Sequence, residues 1–338
     1  MRGRGDTAGY PRNAWYALAA ADEIGAEPYG TRALDRPVVL FRATDGTVVA
    51  LGDRDAHRPY PLSLGRVEGD TIVSGYSGFA YDRTGACVRV PSQEQVPYGA
   101  RVPSYPVREE GGLVWVWLGE RSLAERRLPA PTPWLTDPAW ETFGGQWETA
   151  ANIRLLQDNF GDITHVAVVD PVLAPPALSG VAPVLEVELT ETTVSFHRDW
   201  PAAPVPGWQA ELTGGSATEA YPQREEGAFL SPGLWADRWD VVLPDGTQTF
   251  RFTHAITPVD ARHTRHLWRV SRNFAPGEHA TATMRPMFES YYRKVREILE
   301  TMQQVIDRDG YGEDVNVAAD LAVLQVRRIM RRWVADEG

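Results

Sequence analysis

Between Tyr10 and Gly119 the apolar residues come in short runs, each closed by Gly, Pro or Asp, and no stretch keeps a helical period. Pro37–Phe41, Thr47–Leu51, Thr71–Ser74 and Ala86–Val90 are such runs. They are too short to stand as helices and long enough to serve as strands, which dictates a small all-β domain over residues 10–120. Val107–Gly119 adds a hairpin, because Gly111-Gly112 supplies two residues free to adopt positive φ before a β-branched and aromatic run.

The rest of the chain changes character. Residues 1–9 read as a leader and 121–140 as a charged, Pro-rich connector. Leu155, Asn159, Asp162 and Val166 then recur at helical spacing behind Asn152, an N-cap residue, and Pro171, Pro175 and Pro176 stop the helix. Strand-like runs follow at Val184–Leu189, Thr193–Trp200, Trp239–Leu243, Thr247–Thr257 and Thr264–Phe274, with a turn at Pro244–Gly246. Helical periods return over Met284–Ile306 and Ala318–Asp336, the second basic along Arg327–Arg332. The order predicts an α+β chain: a β domain, then over 141–338 a curved antiparallel sheet gripping a long helix.

Composition narrows the function. A net charge of −11 excludes a nucleic-acid groove or an anionic membrane surface as partner. The one cysteine, Cys87, excludes an internal disulfide and a cysteine metal site, and sits where a strand needs a small hydrophobe. The start MRGRGDTAGYPRNAW has no apolar core of a secretory signal and no run reaches membrane-spanning length, so a cytoplasmic chain is expected.

The stretch Asp53–Val90, with HRPYPLSLGRVEGD, then GF-YD, then TGACV, resembles the cluster-binding segment of the Rieske non-haem iron oxygenases. The resemblance is to the branch that demethylates aromatic ethers, and it extends through the closing hairpin of the domain. In that family Cys-x-His and, about sixteen residues on, Cys-x-x-His bind a [2Fe–2S] cluster. The corresponding positions here are Asp55, His57, Ser74 and Ser77, and of these only His57 is a family-type donor. The family's mononuclear iron motif is matched at Asn159, Asp162 and His165, while its second histidine position holds Asp170 and its later carboxylate falls at Val295. A rescued site would need Asp158 or Asp162 as a further ligand.

From these changes the sequence reading expects no metal and no cofactor. Its leading function is a metal-independent, non-redox cyclase ([4+2] or related), isomerase or lyase acting on a hydrophobic, polyketide-like metabolite of antibiotic or other secondary metabolism. Catalysis is expected at His165 and Asp170 as an acid–base pair, with Asn159 beside them. Substrate contacts are expected from His254 and Phe252, which share strand parity, and from Trp239 and Trp268, with His266 and Trp235 nearby. Two other readings stand beside it: a non-catalytic partner of an active oxygenase, in the ring-shaped homotrimer that the resemblance implies, and an oxygenase with an atypical single iron.

Overall fold

Residues 9–337 are described in the computed structural model, so the leader expected over residues 1–9 falls outside the described residues except for Gly9. One unit comprises Arg12–Pro131 with Thr257–Asp260, and the other comprises the residues up to Pro11, Thr132–Ile256 and the chain from Ala261 onward.

The N-terminal unit is built from eleven short strands in three sheets. β1 (Trp15–Ala20), β10 (Val107–Glu110) and β11 (Leu113–Trp117) form one sheet in the order β1-β11-β10. β2 (Tyr29–Ala33), β3 (Arg36–Arg42), β4 (Val48–Gly52) and β9 (Ser104–Tyr105) form the second in that order. β5 (Arg66–Glu68), β6 (Thr71–Val73), β7 (Ala80–Tyr81) and β8 (Cys87–Arg89) form the third. The β10–β11 turn is the expected one: Glu110 pairs with Leu113, and Gly111 and Gly112 take φ of 61° and 70°. Alternating residues of β3 and β4, Val39, Phe41, Val49 and Leu51, pack with Ile72, Tyr81, Cys87 and Val102 in one apolar core. Cys87 is thus the small core hydrophobe that its strand position implies.

A seven-stranded antiparallel sheet dominates the C-terminal unit. Its strands are β12 (Glu141–Thr149), β13 (Glu186–Leu189), β14 (Val194–Pro204), β15 (Ala220–Ser231), β16 (Leu234–Leu243), β17 (Gly246–Pro258) and β18 (Thr264–Arg272), ordered β12-β18-β17-β16-β15-β14-β13. Helices α1 (Arg121–Ala124), α2 (Ile153–Gly161), α3 (Val166–Val169), α4 (Gly207–Thr213), α5 (Glu278–Asp309) and α6 (Leu321–Ala335) complete the chain. α5 buries Met284, Phe288, Tyr291, Tyr292, Val295 and Leu299, a stripe at spacings of three and four. That stripe meets the sheet through ring contacts of Phe288 with Phe143 and Phe252 and of Tyr292 with Trp268, at centroid separations of 5.8, 5.9 and 4.7 Å. Each such side chain removed from water stabilises the fold by roughly 1.5–3 kcal/mol. No helix among the described residues is long and apolar enough to cross a membrane.

β15 was not expected, and the reason is informative. Its inward positions are Gln223, Glu225, Gly227 and Phe229, so polar groups occupy the face that normally announces a strand. Gly227 faces Asp237 of β16 across the ladder, and a Cβ there would lie 2.2 Å from the Phe196 ring and 2.8 Å from Asp237 Oδ1. Gly227→Ala is therefore expected to cost about 1–3 kcal/mol in a urea melt, the range of an overpacked core.

Candidate functional site

The helical spacing of Leu155, Asn159, Asp162 and Val166 predicts one continuous helix, but the chain breaks at Asp162. Asn152 caps α2 by accepting the Leu155 N–H at 3.2 Å, as expected. Asp162 then takes extended backbone angles, and its carboxylate accepts the Thr164 N–H at 2.9 Å, starting a new turn. An aspartate that bonds its own downstream backbone offers the chain an alternative to the helix.

This break returns His165 toward α2. Its Nδ1 lies 2.7 Å from the Asp162 carbonyl oxygen, which fixes Nδ1 as the protonated nitrogen. Nε2 therefore accepts, from Asn159 Nδ2 at 3.0 Å and from the Tyr291 hydroxyl at 3.1 Å. Burial pulls the imidazole pKa down and the Asp162 contacts only partly oppose it, so the ring is neutral.

His165 and Asn159 lie in the wall of a cavity of about 110 Å³. An apolar cavity of roughly 150 Å³ holds benzene, so this one is scaled to a single ring. Its aromatic lining includes Phe160, Trp239, Phe250, Phe252, Tyr291 and Tyr292. Buried Glu225 and His254 interrupt that lining, together with Asp237, whose side chain is 13% exposed. His254 stacks on Phe160 at 4.1 Å, and its Nδ1 lies 3.0 Å from His266 Nε2. Glu225 pairs with buried Arg198 at 3.1 Å. Burial nevertheless pushes its carboxyl up to about 7, with the Arg198 guanidinium opposing the rise. Between the ordinary value of 4.5 and about 7 the native state keeps a proton that the unfolded chain has released. Stability from this group therefore falls as pH rises through that window and is fully lost above it. Glu225→Gln should gain about 2 kcal/mol on wild type between about pH 5 and about pH 8, measured by urea melts across that range.

Of the residues singled out in the sequence, the cavity brings together Asn159, His165, Trp239, Phe252 and His254. Asp170 is placed elsewhere. Its Oδ2 accepts from Lys294 Nζ at 2.8 Å and its Oδ1 from the Leu173 N–H at 3.1 Å, so the ring of His165 is oriented by the Asp162 carbonyl instead. Trp268 is fully buried between Trp147 and Tyr292 and packs the sheet onto α5 rather than lining the cavity. Asp237, Glu225, Tyr291 and Tyr292 were missed. Asp237 shares strand parity with Trp235 and Trp239, the one signal that pointed inward.

The four cluster positions also converge, on a carboxylate. Asp55 accepts from the hydroxyls of Ser74 at 2.6 Å, Ser77 at 2.5 Å and Tyr81 at 2.7 Å, and from the His57 N–H at 3.0 Å. Burial works to raise the Asp55 pKa, and these bonds overcome it and hold the carboxyl below its ordinary value. The His57 ring stacks on Phe79 at 5.1 Å. With no thiolate at any of the four positions, these donors do not fit a [2Fe–2S] cluster. The mononuclear position fares alike: His165 Nε2 is engaged, Asp170 faces Lys294 and Val295 is apolar. Among the described residues no group of three or more His, Cys, Asp or Glu side chains converges as a metal site, so a facial triad does not fit either.

Comparison with known proteins sets the family. Residues 149–336 match the vanillate O-demethylase oxygenase C-terminal domain, and residues 14–106 match the Rieske [2Fe–2S] domain. The toluene-4-sulfonate monooxygenase system iron-sulfur subunit TsaM1 of Comamonas testosteroni is 31% identical, over 96% of this chain and 97% of that one. The vanillate O-demethylase oxygenase subunit of a Pseudomonas species is 28% identical, over 97% and 96%. A crystal structure of dicamba monooxygenase bound to 3,6-dichlorosalicylic acid superposes with a TM-score of 0.88 at 25% identity, covering 96% of this chain and 98% of that one. These findings overturn the expected metal-independent, cofactor-free cyclase, isomerase or lyase of secondary metabolism. Proteins alike over nearly the whole chain are named as a monooxygenase system iron-sulfur subunit and a demethylase oxygenase subunit, not as cyclases or isomerases. By its matched domains and by relatives similar from end to end, the chain belongs to the Rieske oxygenase family of the vanillate O-demethylase type.

Proposed function

We propose that this chain is an oxygenase-type subunit that binds and orients a small, largely apolar organic molecule, about one aromatic ring in size, in the cavity of its C-terminal unit. The observation that carries the reading is the aromatic-lined cavity of about 110 Å³ with His165 and Asn159 in its wall. The relatives' names support an oxygenase setting, and the 3,6-dichlorosalicylic acid bound in the dicamba monooxygenase crystal structure is a ligand of the same scale. His165 is held neutral with Nε2 accepting from Asn159 and Tyr291, so it fixes the polar edge of the cavity. Because the donors at Asp55, His57, Ser74 and Ser77 do not fit a cluster, no electron step is assigned to the N-terminal unit. A homotrimer belongs to the same reading. The apolar side chains left exposed on α3 and α5, Val168, Ile298, Met302 and Val305, support it.

Ligand-observed NMR on the full chain tests the binding, with ethylbenzene and acetophenone as one-ring probes. Saturable binding of at least one is expected, and none by either overturns the reading. Mass spectrometry after incubation with dioxygen, Fe(II) and an electron-donating partner protein tests the donor argument at His165, Asp170 and Val295. Unchanged probe with binding intact is the expected result, and a product heavier by one oxygen would overturn that argument while leaving the binding reading in place.

A further inference from the structure

Asp237 is an acid in the cavity wall, its side chain only 13% exposed, that the reading above leaves unused. Its Oδ1 accepts the Trp235 indole N–H at 2.6 Å, and its Oδ2 lies 3.4 Å from His254 Nε2. Among the described residues no Lys or Arg pairs with it: Arg238 beside it bonds Asp240, and Arg198 takes Glu225. His254 is no cation either, since burial pulls its imidazole down to about 3, and His266 behind it is pulled well below its ordinary value. An ionised carboxylate with only neutral neighbours would be a bare charge among aromatic rings, the arrangement that proteins avoid by keeping the proton. Burial accordingly drives the Asp237 carboxyl well above the ordinary carboxylate range. With Oδ1 accepting from Trp235, the proton sits on Oδ2, which faces the cavity wall beside His254 Nε2 at 3.4 Å.

A second donor in the same wall lacks an acceptor. Trp208 lines the cavity, and its buried indole N–H has no hydrogen-bond partner among the described residues. A buried polar group left unsatisfied in a native fold calls for an occupant that satisfies it. The sequence also makes room for Asp237, because Gly227 opposite it leaves the space that any Cβ would take from Oδ1. Two donors in an aromatic cavity, with Glu225 close by, suit an uncharged molecule with acceptor oxygen and disfavour a carboxylate.

We propose that Asp237, as a neutral carboxylic acid, selects the ligand by donating a hydrogen bond from Oδ2 to the oxygen of an uncharged carbonyl compound. This deepens the ligand-binding reading and rests on it.

Three shape-matched probes test the proposal on the full chain by ligand-observed NMR: acetophenone, ethylbenzene and 1-phenylethylamine. Acetophenone is expected to bind about ten-fold more tightly than ethylbenzene, the effect of one hydrogen bond. Asp237→Asn keeps a donor and should keep that preference, whereas Asp237→Leu should retain ethylbenzene binding and erase it. Equal affinity of acetophenone and ethylbenzene for wild type overturns the proposal while leaving the cavity reading intact. Tightest binding by the amine also overturns it, because an ionised Asp237 would then be the recognising group. Binding by none of the three removes the cavity reading itself. The wild-type comparison decides the matter even where the Leu variant fails to fold.

Discussion

Asp55→Ala is expected to lower the stability of the N-terminal unit by about 3 kcal/mol, because it leaves buried hydroxyls without an acceptor. Ser74 and Tyr81 are fully buried, and both donate to this one carboxylate together with Ser77. Asp55→Asn, which keeps one acceptor oxygen, should fall between the two. Urea melts followed by tryptophan fluorescence measure the effect, and a change within about 0.5 kcal/mol, typical of an indifferent surface site, would contradict it. The carboxyl is held below its ordinary value in the folded state, so its contribution is present above that value and disappears as pH falls through the lower one. The converse change supplies the missing chemistry. Asp55→Cys with Ser74→Cys and Ser77→His, beside His57, offers two thiolates and two imidazoles. Reconstituted with iron and sulfide, that variant should show the visible bands of a cluster while wild type stays colourless. Cluster bands in wild type would refute the donor argument.

The second large effect is at the cavity. Val166, on the short helix after His165, is part of its lining. Val166→Trp places an indole in a space scaled to one ring, and affinity for acetophenone should fall on the order of a hundred-fold or more. Overpacking costs about 1–3 kcal/mol of stability, so a thermal melt must accompany the titration. Folded variant with unchanged affinity would place the ligand elsewhere.

How much of this was legible in the sequence depended on the range of the interaction. The β10–β11 hairpin and the stripe on α5 were legible because two glycines and a three-to-four spacing act within a few residues. β15 was hidden because the polar groups that interrupt the cavity lining, Gln223 and Glu225 among its inward residues, erase the alternation that marks a strand. The break at Asp162 was hidden because the apolar spacing runs on through it, and only the Asp162 bond to Thr164 N–H shows why the helix stops. The pairing of Asp170 with His165 failed for a different reason: Lys294, far along the chain on α5, claims the carboxylate. Trp268 was correctly buried yet wrongly assigned, since parity tells inward from outward but not core from cavity. Function was overreached from the altered ligand positions, where domain matches and relatives over the whole length spoke for oxygenase ancestry and setting.

Crystals of the full chain soaked with acetophenone decide where the ligand sits. The ring is expected between Phe252 and Tyr291 with its oxygen toward Asp237. An empty cavity beside the molecule bound only elsewhere would contradict it.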